Sequence, residues 1–248
     1  MITNDLKLND EKTEFLIFKS SRQQNDLSNI TLEICDSHIT QSSIAKNLGV
    51  IFDSNISMDK QIANISKCCF MHLKNIRSIR NLLTDVAAAT LIHSLVSTKL
   101  DYCNSLLYGL PKYKIKKMQR IQNVAARILT KSNNDCNIKA ILKDLHWLPV
   151  EERIRFKILL LVFRALKGNS PEYLRELFTV YAPSRALRSA NKGQLIVPKT
   201  RLKTYGDRAL SSAGPREWNA LPIYIRQIDD LLTFKAELKT FLFRQCFL

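Results

Sequence analysis

Between Pro111 and Gly168 the chain carries two strongly patterned helices, and no other stretch limits the possible folds as much. In the first, Ile115, Met118, Ile121, Gln122, Ala125, Ile128 and Leu129 recur at three- and four-residue steps, which places them on one helical stripe opened by Pro111. The second follows Pro149. Glu151 and Glu152 sit at the positive end of its dipole, Arg164 and Lys167 at the negative end, and Gly168 stops it. A short helix through Ile138, Ile141, Leu142 and Leu145 lies between them, and His146 beside Trp147 marks a corner. Stripes of this width must be buried against one another, so the spacing predicts a helical body.

The first of these helices is one-sided in charge. Lys112, Lys114, Lys116, Lys117, Arg120, Arg127 and Lys131 are accompanied by no Asp or Glu. Lys116, Arg120, Arg127 and Lys131 fall close to one row, which suits a phosphate backbone whose neutralisation releases counterions. The alternative is a solvated face. Solvated faces ordinarily mix signs, and the missing acid favours phosphate.

The imbalance extends over the chain. Net charge is +16 in 248 residues, yet residues 1–60 hold 6 basic and 9 acidic side chains, and residues 61–248 hold 32 and 13. The first sixty residues therefore read as a separate unit. They contain three β-prone runs, TEFLIFKS (13–20), ITLEIC (30–35) and NLGVIFD (47–53), with QNDLSN (24–29) as a loop. Such a sheet is too small to stand alone and leaves an edge to cover.

From Asp59 the period becomes helical. Ile62, Ile65, Cys69, Leu73, Ile76, Ile79 and Leu83 form a stripe, with Lys67, Lys74 and Arg77 on another side. Thr84 and Asp85 give an N-cap and first turn for a helix through Leu91, Leu95 and Val96. After Gly168, Ser170-Pro171-Glu172 starts a further helix. From Pro183 to Arg216 eight cations face Asp207 alone, with LIVP (195–198) as a short strand and Trp218 entering a core. LLTFKAELKTFLF (231–243) closes the pattern with Phe234, Leu238, Phe241 and Leu242 on one side. The expected fold class is mainly α with a small N-terminal antiparallel β-sheet, α+β overall, divided at 1–58, 59–135 and 136–248.

Motifs of catalysis are missing. His38, His72, His93 and His146 stand in no GxSxG or HExxH context, and neither a Walker loop nor a GxGxxG occurs. The six cysteines show no CxxC pair and no His partner at ligand spacing, so neither zinc nor a disulfide framework is expected, and a reduced intracellular compartment, cytoplasm or nucleus, fits them. Asp229-Asp230 is explained as a helix cap. Met1 is followed by no basic start or apolar run, and the longest apolar stretch, Ile158 to Phe163, is too short for a bilayer, so no membrane partner is expected.

Several segments in order resemble one family. LKLNDEKTEFLIF (6–18) and KNLGVIFD (46–53) are similar to the end of the palm in reverse transcriptases of non-LTR, LINE-type retrotransposons of the jockey-like group. LVSTKLDYCNSLLYGLP (95–111), IQNVAARILT (121–130), LHWLPVEERIRFKILLLVFRALKG (145–168), SPEYLREL (170–177), RALRS (185–189), VPKTRLKTYGDRALSSAGPREWNALP (197–222) and FKAELKTFLF (234–243) resemble the thumb and C-terminal segment of the same proteins. The likeness covers nearly the whole chain.

That resemblance implies a palm remnant, a helical thumb-like bundle and a helix-rich basic C-terminal domain. Lys12 matches the palm lysine that approaches the incoming nucleotide's phosphates, and Leu48, Gly49 and Val50 match the motif that holds the primer terminus. The family's metal-binding aspartates, an aromatic-x-Asp-Asp hairpin and an earlier Asp, have no counterpart in Asp5, Asp10 or Asp53, and the resemblance places them upstream of Met1. A fragment of an RNA-directed DNA polymerase is thus expected, with no catalytic residues, no metal site and no cofactor of its own, although the whole family enzyme uses magnesium. The missing palm and fingers of the parent would be one partner. The other would be RNA or RNA–DNA duplex, bound without sequence preference along Lys67, Lys74, Arg77, Lys114, Lys116, Lys117, Arg120, Arg127, Lys131, Arg201 and Lys203. A host-used basic helical interaction module and a relic without function are the alternatives.

Overall fold

A computed structural model describes residue 9 and residues 12–18, 30–34, 37–182, 193–202 and 204–248. The loop expected at 24–29 lies outside them. The chain is mainly helical with a small β region at its N-terminal end, and it divides into two compact units, residues 1–65 and 66–248.

The first unit contains β1 (Phe15–Leu16), β2 (Thr31–Ile34), β3 (Ser37–Ser42), β4 (Ile44–Asn47) and β5 (Val50–Asp53). β3 pairs antiparallel with β2 and parallel with β1, so that sheet is mixed rather than purely antiparallel. The run 47–53, expected as one strand, spans the turn of a hairpin: β4 and β5 pair antiparallel with Asn47 opposite Val50, and Leu48-Gly49 turn between them. Both turn residues have positive φ, 46° and 84°, the geometry that matches hairpin twist. Glycine accepts it without cost and Leu48 does not.

Beyond β5, both carboxylate oxygens of Asp53 are occupied by the backbone N–H groups of Asn55, Ser57 and Met58 at 2.9–3.2 Å. This turn leads into α1 (Asp59–Ile79), and Gln61 Oε1 accepts the β5 amide of Ile51 at 3.0 Å. Among the described residues Val50, Met58, Ile62, Ile65 and Ile39 are the unit's buried apolar residues, whereas Ile30, Leu32 and Ile44 stay more than a third exposed.

In the second unit, the stripe of α1 is buried at Cys69, Leu73 and Ile76 but ends before Ile79, which is exposed. Burial pushes the Cys69 thiol up to about 11. Thr84 caps α2 (Asp85–Ile92), accepting from Ala87 N–H at 3.2 Å. A π-helical turn, His93–Ser97, joins α2 to α3 (Thr98–Asp101). Its cause is a spacing: Ala88, Ile92, Val96 and Leu100 are all buried. Each four-residue step overshoots a full α-turn by about 40°, so three steps would carry the stripe about 120° away from the core. One wide π turn takes back about 100° of this and keeps all four residues inward.

α4 (Lys112–Thr130) follows Pro111 and buries Met118, Ile121, Gln122, Ala125, Ala126, Ile128 and Leu129. α5 (Ile138–Asp144) ends in a left-handed residue, His146 at φ 54°, with Trp147 N–H bonded to Leu142 O and His146 N–H to Lys143 O. This is the double-bonded C-terminal reversal usually made with glycine. α6 (Val150–Leu166) is the central helix, contacting α4, α7 (Glu172–Arg175), α8 (Leu210–Asn219) and α10 (Leu231–Phe247). Gly168 ends it at φ 71°. α9 (Ile223–Arg226) is a single turn before α10. The helices on the two sides of residue 135 pack on each other within this one unit.

The core centres on α6. Phe163 stacks on Phe234 with centroids 4.1 Å apart, and Trp218 lies 5.9 Å from the same ring. α8 begins upstream of Gly214-Pro215 and carries the proline inside it. Gly214 lets α8 approach closely: a Cβ there would stand 2.6 Å from Phe178 and 2.8 Å from Val162. The strand expected at 195–198 is reduced to one bridge, Leu195 with Val180. Among the described helices none is long and apolar enough to cross a membrane.

Candidate nucleic-acid interface

α4 sets out its cations as its stripe requires. Lys112, Lys116, Lys117, Arg120 and Lys131 are exposed, and Arg127 is half-buried. Lys116, Arg120 and Arg127 share one side, and from Lys116 to Arg127 the helix advances about 16 Å. Lys114 corrects the expectation. It stands four residues before Met118 and seven before Ile121, on the inward stripe, and is only 5% exposed, with its Nζ 5.9 Å from the Tyr113 ring centroid. It is withdrawn from the phosphate row.

α4 is fixed by polar side chains that sequence reasoning missed. Gln119 Oε1 accepts the first amide of α6, Val150 N–H, at 2.8 Å, and Gln122 Nε2 donates to Leu148 O at 2.8 Å. Gln119 Nε2 in turn donates to Gln122 Oε1. At the other end the buried Arg80 reaches the last turn, donating from Nε to Ile128 O at 3.0 Å and from Nη2 to Leu129 O at 2.7 Å. A guanidinium on open carbonyls at a helix C-terminus satisfies both their bonding and the negative dipole end. Arg80 also pairs with Asp85 at 2.5 Å, and this hydrogen bond and charge hold the Asp85 carboxyl below the usual range. Only a solitary Arg between two helices signals this in the sequence.

Arg77, Arg127 and Lys131 are brought together around a depression of about 350 Å³ at this end. Arg127 Nη2 donates to Asn134 O at 3.3 Å, and its Nε is enclosed without an acceptor among the described residues. Lys67 and Lys74 are exposed along α1. Arg201 is exposed near Gly206–Arg208, and Lys203 lies outside the described residues.

The segment 197–222 is tied to the helices by a charged network. Glu217 accepts from Tyr108 Oη at 2.7 Å and from Arg155 Nε at 2.8 Å, and Arg155 also pairs with Glu152 at 2.8 Å. Burial and the bond to Glu217 raise the Tyr108 pKa, and burial raises that of Glu152 despite its arginine. Arg216 pairs with Asp207 at 2.6 Å, and Thr200 bonds to the same carboxylate. These groups satisfy one another and serve as ties.

In the first unit Lys12 is exposed, Leu48 is 83% exposed at the hairpin tip, and Val50 is 3% exposed beneath it. Three aspartates have structural partners. Asp53 is committed to backbone amides, Asp230 caps α10 by accepting Thr233 N–H at 2.7 Å, and Asp229 pairs with Lys167. No group of three or more His, Cys, Asp or Glu among the described residues could hold a metal ion. No protein-family model, curated protein or solved structure matches the chain.

Proposed function

We propose that this chain is the C-terminal part of a non-LTR retrotransposon reverse transcriptase, comprising the end of the palm, the thumb and the C-terminal segment. Its helical unit grips RNA or RNA–DNA duplex through the phosphate backbone. The observation that carries this is the outward face of α4, where Lys116, Lys117 and Arg120 are exposed on a helix without a single acid. Cations on a helix exterior neutralise phosphates without reading base edges, so binding is independent of sequence. The hairpin tip supports the polymerase assignment, since an exposed leucine in left-handed backbone is a costly choice that a contact to a primer strand would explain. In this reading the role of the described helices is grip.

The test is titration of a fluorescent RNA–DNA duplex at several salt concentrations. Lys116→Gln, Lys117→Gln and Arg120→Gln together lower affinity and flatten the plot of log K against log salt by about 2–3 units, near 0.9 per lost phosphate contact. Unchanged affinity and slope in a folded triple variant would remove α4 from the interface.

A partner-docking role has one observation in its favour. Ile79, Leu82 and Val86, 42%, 87% and 78% exposed, form an apolar corner between α1 and α2. Salt-insensitive capture of a protein, with no duplex binding, would select it.

A further inference from the structure

The helical unit holds a second feature that the basic row does not use. A cleft of about 470 Å³ opens beside Trp147, a size within the roughly 300–1,000 Å³ usual for small-ligand sites. Its aromatic wall is built by two backbone irregularities. The left-handed reversal at His146 turns Trp147 inward to 7% exposure, and the π turn begins at His93, whose ring meets the indole edge to face at 5.4 Å and 64°. Phe156 and Leu148 continue this surface.

Charge is distributed unevenly around it. Arg153 is matched by Asp101 at 2.6 Å, whereas Lys157 and Lys239 line the cleft and are joined to no carboxylate among the described residues. Asn104, also in the lining, is 2% exposed, and its amide oxygen has no donor among the described residues. A buried acceptor left without a donor is uncommon in folded proteins and asks for an N–H.

We propose that this cleft binds one unpaired nucleotide, with the base against Trp147 and His93, an N–H of the base edge on Asn104 Oδ1, and the phosphate between Lys157 and Lys239. Aromatic faces, one unmet acceptor and two unmatched cations suit a flat heterocycle bearing N–H groups and an attached anion. Unstacked bases are held on proteins in this manner. The choice of ligand rests on the nucleic-acid function proposed above, but the cleft and α4 are separate surfaces and fail separately.

The two tryptophans make a direct test possible, because Trp218 is buried against Phe234 and Trp147 lines the cleft. In a Trp218→Phe variant of the full chain, AMP or UMP quenches the remaining indole emission saturably. Inorganic phosphate alone does not quench, and adenosine binds more weakly than AMP. If Trp218→Phe does not fold, 5-fluorotryptophan in the unaltered chain gives two ¹⁹F signals, of which only that of Trp147 shifts. Asn104→Leu weakens AMP about ten-fold, as one lost hydrogen bond requires. Lys157→Gln with Lys239→Gln removes the advantage of AMP over adenosine. Duplex binding through α4 persists in all three variants, and the triple glutamine variant of α4 binds AMP normally. A short single-stranded RNA that competes with AMP identifies the nucleotide as part of a strand; failure to compete identifies a free mononucleotide. Absence of quenching, equal quenching by phosphate or by an acidic peptide, or insensitivity to Asn104→Leu would overturn the assignment.

Discussion

Asp230 shows how one residue's environment sets its contribution. Its carboxylate accepts Thr233 N–H at 2.7 Å and Thr233 Oγ1 at 2.8 Å at the start of α10, and these bonds hold its pKa below the ordinary aspartate value of 3.8. A depressed folded pKa gives stability that is fully present above the unfolded value and is lost as pH falls through the folded one. Thermal unfolding of the chain therefore occurs at lower temperature below about pH 4, and Asp230→Asn, which keeps the cap without the charge, shows a smaller drop over the same range. Equal drops in both proteins would exclude this cap as a source of acid sensitivity. At this scale the sequence was legible where chemistry and position coincide, as at Asp230, Gly168 and Thr84. It misled at Lys114, because charge was weighed ahead of its place on the stripe with Met118 and Ile121. His146 was readable as a corner, yet its left-handed backbone was not, since glycine is the usual signal there.

Among elements, α4 and α6 could be located from their stripes, but the means of joining them could not. Gln119 and Gln122 reach across to the start of α6, and Arg80 reaches 48 and 49 residues along the chain to the end of α4. Such bonds depend on tertiary neighbours, which have no local period. Arg80→Met leaves two carbonyls at the end of α4 without donors and destabilises the protein by about 2 kcal/mol, while the exposed Asp85 adds little. Hydrogen exchange then accelerates in the last turn of α4 before it does elsewhere; uniform acceleration would show that Arg80 acts on the whole fold instead. The π turn belongs here too. The sequence pattern runs this helix through Leu91, Leu95 and Val96, whereas the buried residues are Ala88, Ile92, Val96 and Leu100, a four-residue spacing that a regular helix fits poorly.

For the whole molecule, the shift from acidic to basic at about residue 60 and the shift from strands to helices set the first sixty residues apart within an expected division at 1–58, 59–135 and 136–248, and the chain divides into residues 1–65 and 66–248. The pairing of β1 with β3 was not legible, because strand partners are set by distant residues, and the hairpin was missed although Gly49 signals it, because Leu48 stands at the first turn position where asparagine or glycine is usual. Among the described residues the first unit buries few large side chains, and the second holds Phe163, Phe234, Leu159, Leu238 and Trp218 in one core. Amides of β2 to β5 consequently exchange faster than those of α6 in native-state hydrogen exchange, and the first unit opens at lower denaturant. A single transition with equal protection in both would show the units to be one cooperative body.

The bonding of α4 at its middle and at its C-terminal end has a mechanical consequence. If α4 meets a duplex as proposed, Lys116, Lys117 and Arg120 hang from a backbone that does not have to fold on contact, so the ordering that a disordered basic tail would undergo is already complete. A tail drapes over any polyanion it meets. Teeth on a stiff comb engage only a surface whose spacing suits them, and a helix held in this way rejects by shape what its charge alone would welcome.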